Sequence, residues 1–227
     1  MGHRLYRAPL DKNRVQNVLD IGTGTGLWAI DFADEFPDAD VVGTDITPIQ
    51  PSWVPANVRF ELDDCNQEWT WPDNTFDFIH ARYIETFSAC STFECDDGTV
   101  KEDSAMSQWS KMFNEGGRRL GRTFEVYDHD LQRKGMAAAG FVDIEYKDYI
   151  IPIGLWHPDK EAAETGLWWK LAIEADLEGY LNYTFNYLVG WTPEETKSYA
   201  DQIKKEWNNP NIHGYVRGRS AWGRKPE

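Results

Sequence analysis

The run Asp20-Ile21-Gly22-Thr23-Gly24-Thr25-Gly26 follows an apolar stretch at 15–21 and leads straight into a helical pattern. It limits the fold more tightly than any other part of the chain. The backbone must leave a buried strand, turn sharply and enter a helix while passing close to something bound. Three glycines at alternate positions permit both the unusual dihedrals and the close approach. The start of the helix adds free N–H groups and the positive end of a dipole. An apolar run ending in such a turn reads as a strand of a parallel sheet.

The pattern downstream agrees. Leu27, Ile30 and Ala33, and again Trp28, Phe32 and Phe36, repeat at helical spacing, and Pro37 stops the helix. Short strands are expected at 41–45, at 58–62 where Val58, Phe60 and Leu62 alternate, and at 76–81 after the turn Pro72-Asp73-Asn74. This alternation predicts an α/β fold, a Rossmann-like open sheet with helices on both faces. Further on, a helix closes on Gly140, and Val142, Ile144 and Tyr146 then alternate with Asp143, Glu145 and Lys147 as a half-buried strand. A last strand is expected within 212–225, pairing antiparallel with the previous one at the end of the sheet.

Between those two strands, 155–209 reads as mostly helical. Thr192-Pro193-Glu194-Glu195 supplies a cap, a proline at N1 and a glutamate at N3. Trp168, Trp169, Leu171, Ile173, Tyr180, Tyr183, Phe185 and Tyr187 crowd the segment before it. The expected organisation is one domain over 1–227, with a core at 13–154 and 210–227 and a helical lid insertion at 155–209. The lid is where acceptor specificity is expected, although helical stripes usually pack and most of these aromatics are expected in its core.

The glycine spacing separates two classes of ligand. A dinucleotide fold wants Gly-x-Gly-x-x-Gly. Here the third glycine comes one position early, Leu27 stands where that pattern wants it, and Asp20 precedes the first glycine by two positions. These details favour S-adenosylmethionine (SAM) over a dinucleotide. A glycine turn alone is a weak signal, but Asp45 strengthens it. At the end of the second strand, with Ile46 beside it, this carboxylate can accept both hydroxyls of a ribose. After the third strand, Asp63-Asp64-Cys65 offers an acidic group to an adenine amino group and a backbone N–H to its ring, a solvated acidic turn being the competing reading. His80 closes the fourth strand, at the sheet end where such folds bind ligands, and a structural role suits it equally. The expected cofactor-binding set is Asp20, Gly22, Thr23, Gly24, Gly26, Asp45, Ile46, Asp64, Cys65 and His80.

Charge and composition narrow the partners. A net charge of −15 over 227 residues repels a phosphate backbone. The basic runs Arg118-Arg119-Leu120-Gly121-Arg122 and 217–225 are short and read as solvated surface, so direct nucleic-acid binding is not expected. No apolar run approaches the roughly 20 residues of a membrane span, and the N-terminus lacks an apolar signal core. A soluble cytoplasmic or nuclear protein is expected. Three cysteines, Cys65, Cys90 and Cys95, are too sparse for a disulfide framework or a zinc site and read as reduced thiols.

Three stretches carry a family resemblance. Val18-Leu19-Asp20-Ile21-Gly22-Thr23-Gly24-Thr25-Gly26-Leu27-Trp28-Ala29-Ile30-Asp31-Phe32-Ala33, Gly43-Thr44-Asp45-Ile46-Thr47-Pro48-Ile49-Gln50-Pro51 and Phe76-Asp77-Phe78-Ile79-His80-Ala81-Arg82 resemble the fungal LaeA-like methyltransferases. That family groups regulators of secondary metabolism with methyltransferases of biosynthetic gene clusters. The resemblance continues through Asp97-Gly98-Thr99, Ala139-Gly140-Phe141, Gly190-Trp191-Thr192, Ile212-His213 and Gly223-Arg224-Lys225-Pro226. It implies a class I methyltransferase with SAM as cofactor, Gly22, Gly24 and Gly26 as the glycine loop, Asp45 on the ribose, and Asp64 with Cys65 on the adenine. The implied acceptor is a small molecule, with a regulatory protein complex as the other setting. It implies no catalytic residue, and His80, His157 and Tyr83 are candidate bases on their chemistry alone.

The chain departs from the family in two places. It starts just before strand one, without the helices that usually precede it. The family also has a helix and a Lys-Pro-Gly-Gly turn between strands four and five, whereas Arg82-Tyr83 here runs directly into Ile84-Glu85-Thr86-Phe87, which resembles the start of strand five. Adjacent parallel strands need a crossover of about a dozen residues or more, so the connecting segment reads as missing. The expected function is SAM-dependent methyl transfer. The alternative is a catalytically inactive SAM-binding or scaffolding paralogue or splice variant. A nicotinamide oxidoreductase is disfavoured by Leu27.

Overall fold

The computed structural model of the chain describes residues 4–82 and 92–226, which divide into two compact units along that break. The expected fifth strand at 84–87 and Cys90 lie outside the described residues.

The first unit holds β1 (Asn17–Ile21), α1 (Leu27–Glu35), β2 (Asp40–Asp45), β3 (Val58–Leu62) and β4 (Phe78–Ala81). The four strands form one parallel sheet in the order β3-β2-β1-β4. The strand period of two sorts their side chains. Val18 and Val41 pack under Trp28, Ala29, Phe32 and Ala33 of α1, with Phe36 just beyond it. Leu19, Ile21 and Val42 face the other way and are covered by Cys65, Trp71 and Phe76. Asp77 accepts hydrogen bonds from the N–H groups of Gln16 and Asn17 at 3.0 and 2.9 Å, which fastens the start of β1 beside β4.

The second unit contains α2 (Ala105–Arg119), α3 (Leu131–Ala138), β5 (Val142–Pro152), α4 (Lys160–Glu174), α5 (Leu177–Asn182), a π-helical turn (Tyr183–Val189), α6 (Pro193–Trp207) and β6 (Tyr215–Arg224). The antiparallel pair β5–β6 forms as expected, and among the described residues it is a two-stranded sheet. Each strand satisfies its partner over nearly its whole length, and Ile151 and Val216 anchor the pair in the helical core. Tyr146, expected half-buried, is 50% exposed. Its ring covers the guanidinium of Arg219 at 4.4 Å, and Asp148 and Asp130 pair with the same cation.

Trp109 and Phe113 of α2 meet Leu177, Leu181, Phe185, Tyr199, Ile203 and Trp207 in this core. Of the aromatic stretch, Trp169, Ile173, Tyr180 and Phe185 pack there, while Trp168, Leu171, Tyr183 and Tyr187 are exposed. The expected capping box at Thr192 and Glu195 forms with both bonds in place, at 3.2 and 2.8 Å. Helix α2 is not among the sequence expectations. Its Gly116 breaks the helical pattern because a Cβ there would sit 2.6 Å from Thr184 of the π-helical turn. Arg119, expected as solvated surface, pairs with Glu115 and caps the carbonyls of Leu188 and Val189. No helix among the described residues is long and apolar enough to cross a membrane.

Asp97 closes the loop before α2. Its carboxylate accepts from Cys95 Sγ at 3.0 Å, from the Thr99 N–H and hydroxyl at 3.1 and 2.7 Å, and faces His213 Nδ1 at 2.5 Å. These bonds, Cys95 first, hold its carboxyl well below the usual carboxylate range. A depressed folded-state pKa stabilises fully above the unfolded value of about 4 and loses that contribution as pH falls further. Asp97→Asn should therefore be less stable than wild type at pH 7, with the gap narrowing below about pH 4. Urea unfolding across pH 3–7 measures this, and a gap independent of pH would contradict it.

Candidate functional site

The register of the parallel sheet brings the site residues level. Asp20 of β1 lies opposite Gly43 of β2 on one side and His80 of β4 on the other. The chain then leaves β1 through Gly22, Gly24 and Gly26, all with positive φ of 66°, 57° and 78°.

Two of these glycines answer different needs. A Cβ on Gly26 would come 2.2 Å from the ring of Phe60, and one on Gly43 would meet the same ring at 2.7 Å. Phe60 of β3 thus fills the space beneath the loop and requires glycine on both sides of it. A Cβ on Gly24 would have nothing within 4 Å. Gly24 is the open point of the loop, where the backbone is free for close approach. Gly26 opens α1 without a side-chain cap, so the positive end of the helix is left to whatever binds there.

Asp45 fastens the loop. Its Oδ2 accepts from the Gly24 N–H at 2.8 Å and its Oδ1 from the Thr47 N–H at 2.9 Å. Each oxygen keeps a second lone pair, so the carboxylate retains capacity for two ribose hydroxyls. Gln50 donates from Nε2 to the carbonyls of Gly24 at 2.6 Å and Thr47 at 3.0 Å. Gln50 and Phe60 are not among the residues expected at the site.

Asp20 is only 2% exposed. Its Oδ2 accepts from the Thr23 hydroxyl at 2.6 Å and its Oδ1 lies 2.7 Å from His80 Nδ1. The imidazole of His80 stacks on the indole of Trp28 with centroids 3.7 Å apart and planes 6° from parallel. Asp20 therefore ties the glycine loop to β4, and His80 has one nitrogen committed to it.

The remaining expectations divide. Ile46 is 70% exposed and Leu62 69%, so large apolar side chains stand open at the carboxyl ends of β2 and β3, as a flat base would want. The carboxylate of Asp64 accepts from the backbone and side chain of Asn66 at 3.0 and 2.8 Å, a local Asx turn. The side chain of Cys65 packs on the covered face of the sheet beside Leu19, Ile21 and Val42, and its carbonyl accepts from the Trp69 indole N–H at 3.2 Å. His157 belongs to the second unit, where its Nδ1 accepts from the Asp159 N–H at 3.1 Å ahead of α4. Tyr83 lies outside the described residues.

A parallel α/β sheet whose first strand ends in an acidic residue and an open glycine loop, braced by a carboxylate at the end of the second, has the make-up of a class I methyltransferase. The chain belongs to the methyltransferase-domain family, whose model matches residues 1–164, and SAM is the cofactor of that family. It is 32% identical to the methyltransferase pytC of Aspergillus terreus, over 94% of this chain and 72% of that protein. The secondary metabolism regulator LAE1 of Cochliobolus heterostrophus is 27% identical over 99% of this chain and 82% of its own. The regulator laeA of Aspergillus flavus is 30% identical over 98% and 66%. Among solved structures, phosphoethanolamine N-methyltransferase 2 of Haemonchus contortus overlays at a TM-score of 0.44 and 18% identity, and this chain spans about half of it (49%).

The two glycines should respond differently to a methyl group. Gly24→Ala should fold at a cost of about 1–2 kcal/mol for a left-handed alanine and bind S-adenosylhomocysteine roughly tenfold more weakly, because its methyl fills the approach. Gly26→Ala adds the collision with Phe60 and should lower the melting temperature further. Thermal melts and ligand titration of both variants check this. Wild-type affinity in Gly24→Ala would rule out close approach at that glycine.

Proposed function

We propose that the chain transfers a methyl group from SAM to a small-molecule acceptor of secondary metabolism. The observation that carries this reading is Gly24, open on its outer side and held through its N–H by Asp45. The name of pytC supports the reaction, and the names of the LaeA-type regulators support the metabolic setting. A cytoplasmic or nuclear location goes with it, and a regulatory role is the other setting that the names of those regulators suggest.

In this reading the bound cofactor supplies a methyl group already activated on a sulfonium. The residues of the chain supply position. The glycine loop and the uncapped start of α1 receive the aminobutyrate end, Asp45 the ribose hydroxyls, and Ile46 with the 64–65 backbone the adenine. Asp20 accepts the Nδ1–H of His80, a bond that fixes the tautomer and places the basic lone pair on Nε2. The stack on Trp28 fixes the ring plane. His80 is therefore our candidate to take a proton from an acceptor that needs one removed.

A second reading has its own support. Arg82-Tyr83 leads without a crossover into residues resembling strand five, and β4 is the last parallel strand among the described residues. A chain altered there would bind SAM without turning it over. Calorimetric titration with S-adenosylhomocysteine, set beside Asp45→Ala, tests the common ground. We expect micromolar binding by wild type and a loss of roughly tenfold or more in the variant, two hydrogen bonds being forfeited. No binding by the folded wild type would sink both readings. Binding without release of labelled methyl to any acceptor of a metabolite panel would favour the second.

A further inference from the structure

We propose that Gln50 is a positioning residue that locks the glycine loop to the turn after β2, so that both halves of the cofactor cradle are held as one piece. The inference rests on the cofactor reading above and adds a residue and a device to it.

Four hydrogen bonds form a closed set between the loop and the turn. Asp45 accepts from the N–H groups of Gly24 and Thr47, at 2.8 and 2.9 Å. Gln50 donates to the C=O groups of the same two residues, at 2.6 and 3.0 Å. One side chain accepts both amide hydrogens and the other donates to both carbonyls. The orientation of the Gln50 amide is settled by its surroundings, since two carbonyl oxygens can only face its nitrogen.

Gly24 needs this fastening more than its neighbours do. Apart from its chain neighbours, nothing lies within 4 Å of where its Cβ would stand, so no side chain wedges it on that side. A glycine also has the largest backbone freedom to lose. Gly26, by contrast, is wedged against Phe60. The open point of the loop is therefore held through its own peptide groups, by Asp45 on one side and Gln50 on the other. Holding a binding loop in its bound shape before the ligand arrives spares the ligand that ordering cost. Of Gly24, Asp45 reaches only the N–H, and the C=O is held by Gln50.

The competing role is one in which Gln50 merely closes the turn at 45–50. The two roles differ in which part of a ligand feels the loss. S-adenosylhomocysteine reaches the ribose side and, through its aminobutyrate, the glycine loop. 5′-Methylthioadenosine carries the same adenosine and thioether but no aminobutyrate. Two variants are used. Gln50→Glu sets a carboxylate against two carbonyls, and Gln50→Met keeps the length and removes the donors. Thermal melts establish that each is folded, and Gln50→Met carries the comparison if Gln50→Glu is not.

We expect the affinity for S-adenosylhomocysteine to fall roughly tenfold, and that for 5′-methylthioadenosine by less than about threefold. Equal losses for the two ligands would reduce Gln50 to a prop of the ribose-side turn and overturn the proposal. Unchanged affinity for both would overturn it as well. Wild-type protein that binds neither ligand would instead fail the cofactor reading itself, and the inference with it.

Discussion

The carboxylate of Asp20 sits in the interior of the parallel sheet, and a charge there must be hydrogen-bonded or it costs several kcal/mol. Its two partners solve that problem and organise the site together. The Thr23 hydroxyl belongs to the glycine loop and the His80 imidazole to β4, so one side chain fixes where the loop starts and where the neighbouring strand ends. The stack of His80 on Trp28 then links β4 to α1. Phe60 supports the loop from below and Asp45 with Gln50 holds it from the side. Each of these contacts is within reach only because the strand register puts Asp20, Gly43 and His80 in one row.

The parts of this that could be read from the sequence are those where chemistry leaves few alternatives. A positive φ asks for glycine, so Gly22, Gly24 and Gly26 marked the turn. Asp45 closes the second strand as its position in the sequence predicts, and its carboxylate holds both the loop and the turn that follows. The capping box at Thr192 carries its signature in four residues and forms as written.

Other features have no such signature. Gln50 acts through backbone carbonyls of residues chosen by the turn, and a glutamine in a loop gives no hint of them. Phe60 reads as any alternating strand residue, and its purpose lies in glycines far from it in sequence. Helix α2 was hidden because Gly116 interrupts its stripe to admit Thr184. The β5–β6 pair was visible in its alternation, but the exposure of Tyr146 was not, since that ring covers Arg219. Asp64 shows the limit of position as a guide, since the same acidic residue that could meet a base also caps the turn that follows it.

The central claim is that the glycine loop and the turn after β2 together receive one ligand. Amide hydrogen exchange with and without S-adenosylhomocysteine addresses it peptide by peptide. The account predicts slowed exchange in the peptides covering 21–28 and 43–51 together, at the same ligand concentration. Protection confined to one of them, or found only elsewhere in the chain, would contradict it.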